Sequence, residues 1–240
     1  MLSTESVSAC DKNILHTSSK AKEHNNMKFR VITIEGFEPS EKVAERCIRS
    51  AEVGGIEVKK HRATTPDDNP LEILKRKGIP SEGFQEVWSR TDRCMSAFLS
   101  HHSLWEKCAE ENVPYCIFEH DAFVADHIPT TITYKGLLSL GHPSYGKFKT
   151  PKTFGVNPLT SKKYLPGAHA YMIKPAAAKA LIERARIDAG PTDVFLHIDR
   201  FPWIEEYYPW PVVVKESFTT IQRVEGTRAK HIDHKDYKIL

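Results

Sequence analysis

The chain has 240 residues, with 34 Lys and Arg against 31 Asp and Glu, for a formal charge of +3. That length suits one large domain, and so mild a charge excludes assigning a nucleic-acid binder on composition alone. No run approaches the roughly 20 apolar residues of a membrane span, and no apolar signal core opens the chain, so a soluble cytoplasmic protein is expected.

Residues 1–26 are polar and without period, which predicts a disordered leader ahead of a start at Met27. From there Phe29, Val31, Ile32 and Ile34 form a strand-length apolar run. Ser40 is placed to cap a helix carrying Val43, Ala44, Cys47, Ile48 and Ala51 at helical spacing, stopped by Gly54 and Gly55. A second strand over 56–60 completes a strand, helix, strand unit, the opening of a parallel sheet.

Prolines and glycines then interrupt the chain around a short helix near 71–77. Thr91 or Asp92 caps the clearest helix, whose apolar face runs from Met95 to Ala109. Tyr115 to Phe118 read as a short strand ending in Glu119, His120 and Asp121. Residues 128–163 suit long loops, 170–173 a strand, and Pro175 the first residue of a helix. A short helix from Thr192 or Asp193 leads to a final core strand at 211–214. A domain over 27–225 and a polar tail over 226–240 follow, the tail holding His231, Asp233, His234 and Asp236.

The five cysteines, Cys10, Cys47, Cys94, Cys108 and Cys116, are odd in number and lack zinc or redox spacing, which predicts buried thiols in a reducing compartment. The chemistry is expected where ligands of open α/β sheets bind, beyond the carboxyl ends of strands. Glu119 and Asp121 occupy such a place, and two carboxylates one residue apart can offer oxygens to a hard divalent cation that also binds phosphate. Turn acids are also common there for no chemical reason. Ser100 and His101 do not make a hydrolase pair, since adjacent helix residues diverge by about 100°. His169 either lines a pocket or is hydrogen-bonded in the interior.

The segments Leu99-Ser100-His101-His102-Ser103-Leu104-Trp105 and Tyr115-Cys116-Ile117-Phe118-Glu119-His120-Asp121, with Gly167 to Ile173 and Pro191-Thr192-Asp193, resemble glycosyltransferase family 25. That family includes lipopolysaccharide galactosyltransferases and collagen galactosyltransferases, and Ser217 and Ile221 echo a weaker signature of it. Order and spacing agree over about 90–222. The resemblance implies an α/β single domain of the GT-A (Rossmann-like) type that binds a nucleotide sugar, with a mostly parallel central sheet flanked by helices. It implies inverting hexosyl transfer from a nucleoside-diphosphate sugar, UDP-hexose above all, in glycan or lipopolysaccharide-type synthesis.

Residue by residue, the resemblance places the donor against Ile34, Ser100, His101 and His169. Mn2+ or Mg2+ falls to Glu119, Asp121 and His120, and the acceptor's proton to Asp193. The bland role of Asp193 is a helix cap, and it could also bind acceptor hydroxyls without moving a proton. His120 stands where the family has Asp, removing one negative charge from the triplet, and Thr33-Ile34-Glu35-Gly36 stands where it has an Asn-Leu-x-Arg segment. Two other readings remain: a metal-using nucleic-acid-binding or nucleic-acid-modifying protein, and a non-catalytic sugar binder of the same fold.

On the acceptor side, Lys135, Lys147, Lys149, Lys152, Lys162 and Lys163 alternate with Tyr134, Tyr145, Phe148 and Phe154, and the stretch holds no acid. Either this is a solvated loop or it holds an anionic acceptor, preferably a glycan.

Overall fold

The computed structural model describes residues 27–85, 89–215 and 220–221. The proposed leader, Ser217 and the tail with its His and Asp residues lie outside the described residues. Nine strands and five helices follow in chain order among the described residues: β1 Lys28–Thr33, α1 Glu38–Glu52, β2 Val58–Arg62, α2 Pro70–Lys77, α3 Thr91–Glu111, β3 Tyr115–Phe118, β4 Ala122–Val124, β5 Leu137–Ser139, β6 Gly155–Pro158, β7 Ala170–Ile173, α4 Pro175–Ala185, α5 Thr192–Phe195, β8 Ile204–Tyr208 and β9 Val212–Val214.

The main sheet has seven strands in the order β2-β1-β3-β7-β5-β8-β6. The pairs β1–β2, β1–β3 and β5–β8 are parallel, whereas β7 and β6 run against their neighbours. Five of the seven strands therefore point one way, and the expected mixed α/β architecture with a mostly parallel sheet is what forms. The opening strand, helix, strand unit is parallel as expected.

Central strands are apolar throughout because both of their faces are covered. Tyr115, Ile117, Tyr171 and Ile173 face the cluster built on Phe98, Trp105 and Leu181 of α3 and α4. Cys116, Phe118, Ala170 and Met172 face Ala44, Cys47 and Ala51 of α1. Alternate residues of one strand thus feed two cores. Cys47, Cys94, Cys108 and Cys116 are buried free thiols, and burial pushes Cys47 and Cys108 up to about 12, which leaves them unreactive. No helix among the described residues is long and apolar enough to cross a membrane.

Several expectations shift. Ser40 does not cap α1, which starts at Glu38 with Phe37 before it. Ser40 is the third residue of the first turn, its hydroxyl accepting the Ile34 amide at 2.9 Å. Arg90, not Thr91 or Asp92, precedes α3. β2 begins two residues late because the Ile56 amide is still bonded to the Ala51 carbonyl of α1. The stretch expected as loops over 128–163 contains β5 and β6, and β8 has no counterpart among the expected strands. The 211–214 strand is not in the main sheet: β9 pairs with β4 in a two-stranded ribbon on the rim.

Candidate functional site

β1, β2 and β3 are parallel, so they deliver Ile34, Ala63 and Glu119 to one edge of the sheet. β7 enters from that edge, and the Glu119 amide donates to the His169 carbonyl at 3.0 Å. A cavity of about 480 Å³ opens there, lined by Ile34, Arg62, Thr64, Arg93, Ser100, His101, Glu119 and His120 among others. Five of the residues expected at the site, Ile34, Ser100, His101, Glu119 and His120, therefore share one pocket. Asp121, His169 and Asp193 do not line it.

The floor is held by a buried hydrogen-bond chain that sequence reasoning missed. Trp105 Nε1–H donates to the Tyr171 hydroxyl at 2.8 Å, and that hydroxyl is 2.9 Å from His101 Nδ1. Indole can only donate, so the Tyr171 hydrogen goes to Nδ1 and the hydrogen of neutral His101 sits on Nε2. Burial lowers His101 to about 3, which keeps it neutral. His101 Nε2 therefore donates to Glu119 Oε1 at 3.2 Å. Ser100 is turned to the backbone instead: its hydroxyl donates to the Ser96 carbonyl and accepts the Thr64 amide, at 2.8 and 2.9 Å.

Glu119 keeps 28% of its side chain exposed to the cavity. Burial of the remainder, then the charges of Asp121 and Asp193, push its carboxyl well above the usual carboxylate range. Its neutral neighbour His101 offers no compensating charge. His120 Nδ1 bonds to Ser40 Oγ at 2.6 Å, and burial holds this imidazole below its ordinary range, against the pull of Asp121. Asp121 has a buried Oδ1 with no hydrogen-bond partner among the described residues. Such an atom is costly to leave unpaired.

His169 packs over Gly141, where an added Cβ would meet its Nε2 at 2.5 Å. Neither ring nitrogen makes a well-formed hydrogen bond, although the Val212 carbonyl lies near enough to favour the charged form; burial outweighs this and lowers His169 to about 4. Asp193 sits in the first turn of α5, where its Oδ1 accepts the Val194 amide at 2.9 Å and its Oδ2 accepts the Tyr145 hydroxyl. Burial and the Asp193 charge hold Tyr145 far above the ordinary phenol range, so it remains a donor.

Among the described residues, no three His, Cys, Asp or Glu side chains converge as a complete metal cage. Two carboxylates, one of them with a buried oxygen left unpartnered among the described residues, suit a hard cation whose other ligands are phosphate oxygens and water.

Residues 89–196 match the family model of glycosyltransferase family 25 (LPS biosynthesis protein). The segment that carries the helix motif, the acidic strand end and Asp193 is thus similar to glycosyltransferase family 25, over somewhat less than half of the chain. No curated protein matches the chain. A solved structure of CTP:phosphocholine cytidylyltransferase from Streptococcus pneumoniae is similar at 9% identity with a TM-score of 0.37, over 78% of this chain and 92% of that one.

Arg62, Arg93 and Thr64 line the cavity without having been anticipated. Nothing in their sequence surroundings sets them apart. Ile221 lies on the cavity wall and its carbonyl accepts the Arg90 amide at 2.9 Å.

Proposed function

We propose that this chain is a metal-dependent, inverting glycosyltransferase of the GT-A type that moves a hexose from a nucleoside-diphosphate sugar, UDP-hexose first, to an acceptor hydroxyl. The observation that carries the reading is Glu119: it stands on the pocket floor at a strand end, it feels the charges of both Asp121 and Asp193, and among the described residues no Lys or Arg side chain bonds to it.

In this reading the 480 Å³ cavity takes the nucleotide, with Ile34 as an apolar wall and Arg93 supplying positive charge at its lining, where Arg62 is already paired with Asp68 at 2.8 Å. Glu119 and Asp121 hold Mn2+ or Mg2+, with His120 beside them. Bound there, the cation would neutralise charge on the departing diphosphate. His101 fixes one oxygen of Glu119 and leaves the other for the ion. The acceptor oxygen forms its bond to the sugar carbon as the bond to the diphosphate breaks from the opposite face, and Asp193 takes the acceptor's proton. The Tyr145 hydroxyl occupies Asp193 Oδ2 and the Val194 amide occupies Oδ1, which fixes the carboxylate's orientation.

The test is transfer and donor hydrolysis with a panel of nucleotide sugars, with and without Mn2+, on the parent and on Asp121→Ala. Metal-stimulated turnover is expected in the parent and none in the variant, with unchanged folding by circular dichroism. An Asp121→Ala protein that bound Mn2+ and UDP as the parent does would remove the metal assignment.

A further inference from the structure

A second cavity, of about 440 Å³, lies outside the donor pocket and is lined by Lys147, Lys149, Lys162, Lys163, Tyr164 and His197. Loop lysines usually point into solvent and organise nothing. Here the loop is built into the fold. The Lys149 amide donates to the Ser161 carbonyl at 3.0 Å, the Ile198 amide to the Lys163 carbonyl at 2.8 Å, and the Leu165 amide to the Asp193 carbonyl at 3.2 Å. Tyr164 pairs with His197 as an isolated β-bridge, and their rings stack.

Charge is left over in this cavity. Among the described residues, Lys147, Lys149 and Lys162 form no ion pair, while Lys163 has only a 4.0 Å contact with Asp199, both side chains being largely exposed. Lys162 is held in place by aromatic faces, its Nζ lying 5.3 Å from the ring centres of both Tyr145 and Tyr164. His197 Nδ1 accepts the Asp199 amide at 3.0 Å, which leaves the hydrogen of the neutral ring on Nε2 as a further donor. The cavity is joined to the proposed base through Tyr145, whose ring approaches Tyr164 at 6.2 Å and whose hydroxyl bonds Asp193.

We propose that this lysine cavity binds the negatively charged group of an anionic acceptor sugar, a phosphate ester or a carboxylate, and so brings that sugar's hydroxyl to Asp193. The proposal rests on the transferase reading for the word acceptor; the anion site itself stands on the cavity. A sugar fits better than a nucleic acid because the positive charge is gathered in one pocket beside aromatic faces. A strand of nucleic acid would need charge spread along a groove.

The experiment is calorimetric titration of the full chain with glucose 6-phosphate, glucuronate and glucose, at low and moderate salt, with and without saturating UDP. Both charged sugars, or one of them as the source of the charge, should bind at least tenfold more tightly than glucose, and binding should weaken as salt rises. Lys147→Gln/Lys149→Gln/Lys162→Gln should lose at least tenfold of that affinity and flatten the salt dependence, with UDP affinity within twofold of the parent. Equal binding of glucose, or an unchanged triple variant, overturns the proposal. Competition between UDP and glucose 6-phosphate would place the anion in the donor cavity and also overturn it. A single-stranded oligonucleotide that binds far more tightly than the hexose phosphate, through the same lysines, would replace the sugar with nucleic acid. A parent that binds no nucleotide counts against the transferase reading and leaves the sugar titrations to be judged on their own.

Discussion

The two halves of the sheet edge are built by different means. On the β2-β1-β3 side, parallel strands end together, and the helices between them supply the pocket walls: Ser40 from α1 holds His120, and His101 from α3 holds Glu119. On the β7-β5-β8-β6 side the strands are short and of mixed direction, and the side chains of interest ride on loops and on the four-residue α5, tied to one another by backbone bonds, as Leu165 is to Asp193 and Ile198 to Lys163. The first arrangement holds groups at fixed separations on rigid elements. The second leaves room to change what enters. A transferase gains from that division, because the diphosphate is common to its donors while acceptors differ.

If the loop-built half carries the base, the largest single effect should lie there. Asp193→Asn preserves size and the acceptor at one oxygen, yet it removes the proton acceptor. Turnover is expected to fall about 10²- to 10⁴-fold, with UDP affinity unchanged. Loss of donor affinity at an unchanged rate would move Asp193 into the donor half and dissolve the contrast.

A smaller effect should come from the rigid half. Tyr171→Phe deletes the hydroxyl that fixes the His101 tautomer and strands the buried Trp105 N–H. Stability should drop by about 1–3 kcal/mol. Because Glu119 loses its orienting donor geometry, Mn2+ affinity should fall about 10- to 100-fold. A purely structural Tyr171 would lower the urea midpoint and leave the Mn2+ titration of the folded protein where it was. His101→Gln, which retains an N–H donor, should restore part of the Mn2+ affinity that His101→Phe loses.

The same contrast governs what could be read from the sequence. β1, α1, α3, β3, β7 and α4 are continuous or periodic apolar segments buried on the sheet or helix face that their spacing dictates, so they were legible. β8 was not, because Glu205 and Glu206 sit in its middle and acids argue against a buried strand. They are buried at 8% and 0% exposure because backbone amides of the surrounding loops, at Lys135, Thr160 and Ser161, satisfy their carboxylates. No local pattern announces such partners. β9 was legible in part: Val212 is buried in the core beside α1 as expected, but Val213 and Val214 are only half-buried and their strand pairs with β4 outside the main sheet.

At the site, motif order placed Ser100, His101, Glu119 and His120 together, whereas the roles of Ser40, Tyr145 and Tyr171 depend on contacts 80, 48 and 70 residues away along the chain. Asp121 and His169, expected at the metal and at the donor, stand outside the cavity that those four residues line. That position follows from the chain direction. Beyond Glu119 the chain bends toward β4, so that Arg46 of α1 reaches the Asp121 carbonyl at 3.5 Å.

The smallest effect tests whether the rigid half is also the drier one. His61 of β2 bonds through Nε2 to Ser103 Oγ of α3 at 2.8 Å, and the Ser103 hydroxyl already donates to the Ser100 carbonyl at 2.9 Å, so His61 is the donor in the pair. Burial first, then the positive charges of Lys107 and Arg30, lower His61 to about 4 from an ordinary value near 6.5. Its folded value is the depressed one, so the unfolded chain takes up the proton first as pH falls. The stability tied to neutral His61 is complete above pH 6.5 and drains away as pH drops toward 4. The imidazole is only partly enclosed, and after that discount the loss by pH 4.5 should be about 1–2 kcal/mol. Urea midpoints of the parent and of His61→Gln at pH 7.5 and 4.5 measure it, because the paired comparison cancels the other buried histidines. The parent's advantage should shrink or reverse at the lower pH. An advantage identical at both values would mean that water reaches the β2 and α3 contact freely, and the parallel-strand half would then be no drier than the loops across from it.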